Sequence, residues 1–158
     1  MVMKIGSYCQ WDRRRKPARL ASACPILCVI ARAVAAFPMT EEIKASHWKT
    51  FCERLTEMER GQMVTIEAID PDGSRREVAR AVPLVNVTFK AKDACNDAIW
   101  IHASDGFEHE ILEPIHIKLK RNAEGGFNPV QIDGETGTTI LHFRPALKPT
   151  VVEGLCGR

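Results

Sequence analysis

No run in this 158-residue chain is long and apolar enough to span a bilayer. The longest candidate, residues 23–37, is interrupted by Arg32 and carries Pro25 near its start, whereas a spanning helix needs about 20 mainly apolar residues. The six cysteines form no CxxC pair, and three after position 38 (Cys52, Cys95, Cys156) are too widely spaced for a disulfide framework. That usage fits reduced thiols in a cytoplasmic protein. GxGxxG, a Walker loop, GxSxG and HExxH are all missing, which removes the dinucleotide-binding, P-loop, serine-hydrolase and zinc-protease readings. Internal repeats and low-complexity tracts are absent too. What is left is an ordinary globular composition, 45% hydrophobic and 27% charged, at the length of one domain.

Charge divides the chain at Met39. Residues 1–38 hold seven Lys/Arg and one acid, leaving fifteen basic and nineteen acidic residues beyond, a net of −4 against +2 for the whole. A mildly acidic remainder argues against general nucleic-acid binding. Three readings compete for residues 1–38. A secretory signal would explain the basic lead and the "AVA" site, and would place the protein outside the cell. A membrane anchor is too short. Translation from Met39 agrees best with the change in character that follows, because nothing before it matches the patterning after it. The expectation is a poorly structured extension over 1–38, one domain over 39–146 and a flexible tail over 147–158.

From Thr40 the text predicts one amphipathic helix ending at Gly61. Thr40 is its cap, with Ser46 as a second candidate, and Glu41 and Glu42 stand in the first turn. Trp48, Phe51, Cys52, Leu55 and Met58 recur at helical spacing as an apolar stripe, and Cys52 within it reads as a small buried hydrophobe. The pattern then turns to alternation. Val64, Ile66 and Ala68 share one strand face, Val85, Val87 and Phe89 another, and Ile115, Ile117 and Leu119 a third. Pro83 divides two runs, and turn chemistry at "DPDG", "DG", "NAEGG" and "GETG" separates the rest. The fold class expected is α+β: one N-terminal helix on an antiparallel meander of about seven strands, forming a curved sheet or small barrel.

Chemistry-bearing residues are sparse. If Asp105-Gly106 are the two turn residues of a hairpin, His102 faces His109 on one sheet face. Such a pair can serve a divalent metal, with Glu110 or Asp105 behind it, although a slip by one residue removes it. His116, Lys118 and Lys120, with Arg121, form a basic stripe that reads first as the solvated side of an amphipathic strand. "DGETG" lacks the ligand spacing of a calcium loop, and Ser104, Asp105 and His102 do not assemble a triad. No catalytic or cofactor-binding residue can be named.

"HWKTFCERL", "GQMVTIEAIDPDG", the Pro83-Leu84 pair, "DG…EHEILEP" and the terminal "TTILHFR" together resemble a family of small bacterial proteins known only as a domain of unknown function. The resemblance covers about residues 45–144. It implies a Trp-containing helix followed by a β-meander, and no activity. The function expected is a non-enzymatic cytoplasmic interaction module whose sheet surface or open edge takes a protein partner or a second copy. A small-ligand or metal-binding domain using the His102/His109 face is the alternative.

Overall fold

The structure is a computed structural model that describes residues 39–91 and 97–157. The extension expected over 1–38 and the thiol of Cys95 lie outside the described residues. Eight antiparallel strands form one sheet in the order β1-β6-β7-β8-β2-β3-β4-β5. Their ranges are β1 Thr40–Ile43, β2 Met63–Ile69, β3 Arg75–Lys90, β4 Ala98–Ala103, β5 Glu108–Leu112, β6 Pro114–Arg121, β7 Phe127–Gly134 and β8 Gly137–Arg144. Among the described residues one α-helix, α1, runs from Trp48 to Glu59. The sheet curves without closing, as expected for the α+β class.

Alternation dictates the central strands. Val64, Ile66 and Ala68 are buried on β2, Val130 and Ile132 on β7, and Leu141 and Phe143 on β8. β2 and β8 run in register from Met63↔Arg144 to Ile69↔Thr138, so these side chains meet on one face. On α1, Trp48, Phe51, Cys52 and Leu55 are buried against that face. Each such aliphatic or aromatic burial is worth about 1.5–3 kcal/mol. The Trp48 indole N–H donates to the Ile43 carbonyl at 3.0 Å, and its ring meets Phe89 edge-on. The stripe ends differently from the expectation. Met58 is 42% exposed, and Glu59, one full turn beyond Leu55, is the buried residue. Burial lifts the Glu59 carboxyl above its ordinary range, and Lys148 partly opposes the lift.

Two local expectations are corrected at the ends of the domain. Thr40–Ile43 is a strand and not the first turn of the helix: it pairs with β6 from Thr40↔Lys120 to Ile43↔Ile117. Glu41 and Glu42 are drawn into that pairing by Arg121 at 2.8 Å and His116 at 2.6 Å, so tertiary side-chain contacts replace the helix dipole as their partner. Ser46 sits inside a short 3-10 turn, and α1 starts at Trp48 with no side-chain cap. At the other end, the tail expected to be flexible is packed. Leu147, Val151, Val152 and Leu155 are buried. Leu147 exchanges two 2.9 Å hydrogen bonds with Phe127, and the Gly157 N–H donates to the Glu42 carbonyl at 3.0 Å. The C-terminal segment therefore covers the outer side of β1.

β3 is a single strand of 16 residues and is not divided at Pro83. Its first half pairs with β2 and its second half with β4. Pro83 stands where the strand changes partner, the place where a residue without an N–H disturbs a ladder least. Ala81 takes a positive φ of 48°, and the register shifts between Leu84 and Asn86. These bulges bend the strand and break the expected face at Val85, which is exposed while Leu84 is buried; Val87 and Phe89 keep the expected inward side. A second bulge between Pro114 and His116 likewise turns Ile115 outward, to 55% exposure.

The bend brings the two ends of the sheet toward each other. β5 ends the strand order and β6 lies second from the opposite end, yet Glu113 alone separates them in sequence. The Glu135 N–H donates to the Leu112 carbonyl at 3.2 Å. Gly134 comes so close that a methyl there would sit 2.8 Å from that carbonyl oxygen. β5 is thus pinned at its last residue, and its main chain is otherwise laddered on one side only, to β4.

Candidate functional site

The β4–β5 hairpin closes on the pair Ala103/Phe107, with the Ala103 N–H donating to the Phe107 carbonyl at 3.0 Å. Three residues, Ser104–Gly106, therefore form the loop. Asp105 and Gly106 both adopt positive φ, 65° and 74°. The two-residue turn expected at Asp105-Gly106 would have set His102 against His109. In the three-residue turn His102 pairs with Glu108, and Ile101 with His109. A shift of one residue puts the two imidazoles on opposite faces, which corrects the shared-face reading. Among the described residues no group of three His, Cys, Asp or Glu converges as a metal site.

Each histidine acquires a different setting. His102 faces outward, 3.2 Å from a Glu108 carboxylate oxygen, with its ring stacked beside Trp100. His109 faces inward across the open end of the sheet, its Nε2 2.9 Å from the Thr139 hydroxyl on β8. A recess of about 150 Å³ beside it is lined by Asp70, Arg76, Glu110 and Thr138. Burial pulls the His109 imidazole below its usual value of 6.5, and the Arg76 guanidinium adds to the pull. Ser104 stays in the turn and meets neither imidazole in a hydrogen bond among the described residues.

A stability consequence follows from His109. Its folded-state affinity for a proton is lower than in the unfolded chain, so the unfolded state binds more protons as pH falls below 6.5. Stability tied to the neutral ring is complete above that value and is lost as pH falls through the lower, folded one. Urea midpoints of the parent should therefore drop more steeply between about pH 7.5 and 5 than those of His109→Gln. Parallel pH profiles for the two proteins would overturn this assignment.

Three of the four members of the basic stripe on β6 already have acidic partners. His116 meets Glu42, Arg121 meets Glu41, and Lys118 meets Asp133 at 2.9 Å. Asp133, in "DGETG", is structural. Burial pushes its carboxyl up, but hydrogen bonds from Gln131, Lys118 and Thr138 outweigh that and hold it low. The Cys52 thiol is pushed up to about 12 by burial and by Glu53, a setting in which the thiolate nucleophile is scarce.

Sequence reasoning missed the pairing of α1 with β3. The Thr56 hydroxyl donates to the Val87 carbonyl at 2.9 Å and accepts from the Val87 N–H at 2.8 Å, sealing the strand's edge where β2 has ended. A threonine inside a helix and off its apolar stripe was the available signal. Beside this contact runs a groove of about 520 Å³ between Lys49, Glu53, Glu57 and Arg60 of the helix and Asn86–Phe89 of β3. Asn86 Oδ1 and, on neighbouring β4, Trp100 Nε1 are enclosed without a hydrogen-bond partner among the described residues.

The outer edge of β5 is the remaining open feature. Hydrogen-bonded pairs alternate in an antiparallel ladder, and Ala103/Phe107 and Asp97/Glu113 fix which ones they are. By that alternation, His109 and Ile111 turn their backbone groups to β4. Glu108, Glu110 and Leu112 turn theirs away, and of these the Leu112 carbonyl is taken by Glu135. Among the described residues no strand pairs with this edge.

The family model described as "Family of unknown function (DUF5335)" matches residues 39–151. It agrees with the resemblance read from the helix and meander. No curated protein and no solved structure matches the chain. Among the described residues no helix is long and apolar enough to cross a membrane.

Proposed function

We propose, from the premise that the chain belongs to DUF5335, a family of unknown function, that this protein is a non-enzymatic interaction module acting by strand addition at the outer edge of β5. A cytoplasmic setting is part of the same reading. The observation that carries it is the asymmetry of the sheet's two ends. On β1 the C-terminal segment bonds to Glu42 and bridges Ile43 to Cys156. On β5 the outward N–H and C=O of Glu108 and Glu110 face no strand among the described residues. An open row of main-chain donors and acceptors is a template for an added strand, with affinity from the ladder and selectivity from alternate side chains.

Proline separates this edge from the fold. At Glu110 it deletes an N–H that points away from β4, a position where strands tolerate it. At Ile111 it deletes an N–H inside the ladder, at roughly 1–3 kcal/mol for the orphaned carbonyl. Heptapeptides selected from a random library on the full chain should bind at least about tenfold more weakly to Glu110→Pro, from loss of a main-chain hydrogen bond. The variant should keep the parent's urea midpoint, while Ile111→Pro should lower it. Selected peptides that bind Glu110→Pro as well as they bind the parent would refute strand addition.

A further inference from the structure

The strand-addition reading, on which this inference rests, leaves open what kind of segment the edge selects. The side chains beside the free backbone answer that. Glu108, Glu110 and Leu112 share the outward face of β5 and are exposed. Asp105 at one end of the strand, with Glu113 and Glu135 at the other, are exposed as well. The basic side chains on this face are spoken for or set back. His102 meets Glu108, and Lys90 lies over the Trp100 ring, 5.4 Å from its centroid and two strands away from the edge.

We infer that the occupant is a basic extended segment of the pattern (Lys/Arg)-x-(Lys/Arg), bound antiparallel to β5 along Glu108–Glu110. In that orientation its two cations lie opposite Glu110 and Glu108 in turn, and the segment stops short of Leu112, whose carbonyl is taken by Glu135. Directly opposed side chains interact across a strand pair, favourably for opposite charges and unfavourably for like ones. Antiparallel pairing is the slightly stronger arrangement and is the one every ladder of this sheet uses. The free edge from Glu108 to Glu110 offers roughly 10 Å, the reach of such a tripeptide.

The molecule already contains one instance of this chemistry. At the opposite end of the sheet the acidic strand β1 is held by the basic strand β6, with Glu42 opposite Lys118 in register and bonded to His116, and Glu41 bonded to Arg121. A second copy of the chain is a poor occupant for the same reason. Along the free Glu108–Glu110 edge an antiparallel two-fold sets a glutamate against a glutamate of the copy, a like-charge contact, because the Leu112 carbonyl is taken by Glu135.

Fluorescence anisotropy with the full chain and two labelled heptapeptides tests the inference. Both are polythreonine. One has lysine at the fourth and sixth positions, the other glutamate. The lysine peptide should bind at least about tenfold more tightly than the glutamate peptide. The double variant Glu108→Lys/Glu110→Lys should invert the order. If that variant fails to fold by circular dichroism, Glu110→Gln keeps the shape and should weaken the lysine peptide alone. Equal binding of both peptides, lost on Glu110→Pro, would overturn the charge pattern while leaving strand addition intact. No binding by either peptide overturns the pattern, and the library selection then judges the edge independently. A concentration-dependent dimer of the full chain that is abolished by Glu110→Pro would replace the basic segment with a second copy.

Discussion

Phe143→Ala should lower the free energy of unfolding by about 3–5 kcal/mol, the range for removing a buried aromatic ring. Phe143 is fully buried near the end of β8 and faces Val64 across the β2–β8 ladder. Two costs combine there. The ring's apolar surface is lost from the core, and the cavity can collapse little because its walls belong to a strand paired on both sides. The backbone at this residue is tied down as well. Asn128 donates to the Phe143 carbonyl at 3.0 Å and accepts from its N–H at 3.1 Å. A domain of this size has a net stability of only about 5–15 kcal/mol, so the variant should sit close to its unfolding threshold at room temperature. Urea denaturation followed by tryptophan fluorescence measures the loss. A change under about 1 kcal/mol would mean that the faces of β2 and β8 do not meet as described.

Residues that obey one period along a whole element were legible in the sequence. Val64, Ile66 and Ala68 could be placed inward because β2 keeps its alternation against β8 throughout. Trp48, Phe51, Cys52 and Leu55 could be placed because helical spacing leaves them one common side. Failures occur where a single backbone irregularity resets the period. The bulge at Leu84/Asn86 sends Val85 outward, and the one at Pro114/His116 sends Ile115 outward. One more loop residue than expected separates His102 from His109. A bulge or turn of that kind depends on which strand is opposite, and that partner is not adjacent in sequence. The same limit hid β1 and the packed C-terminal segment. "TEEI" is good first-turn chemistry for a helix until β6 supplies Arg121 and His116, and the prolines at 145 and 149 look like breakers until Leu147 finds Phe127. The open edge of β5 follows from strand order, which no local pattern encodes. Its acidic side chains were visible all along without the edge that gives them meaning.

Gly137→Ala should be as damaging as the loss of a core ring, for a reason that involves no core side chain. Gly137 begins β8 with φ at +137°, a conformation that side-chain-bearing residues rarely adopt. That strain costs roughly 1–3 kcal/mol. The new methyl would also collide with the Ile69 carbonyl oxygen, with the Asp70 Cα a further 3.5 Å contact. Those are backbone atoms at the end of β2 and cannot rotate away, so overpacking adds about 1–3 kcal/mol. Gly73→Ala is the control, because φ there is +86° but nothing lies within 4 Å of the added carbon. It should show the strain without the collision, and the difference between the two urea midpoints isolates the clash. Relief requires β8 to move away from β2 at Thr138↔Ile69, and Thr139 follows within one residue. Thr139 is the hydroxyl that holds His109 across the open end of the sheet. The collision should therefore also blunt the extra acid sensitivity that His109 confers. If Gly137→Ala matches Gly73→Ala in midpoint and keeps the parent's pH profile, the close approach of β8 to the end of β2 is not what places the Thr139 hydroxyl on His109.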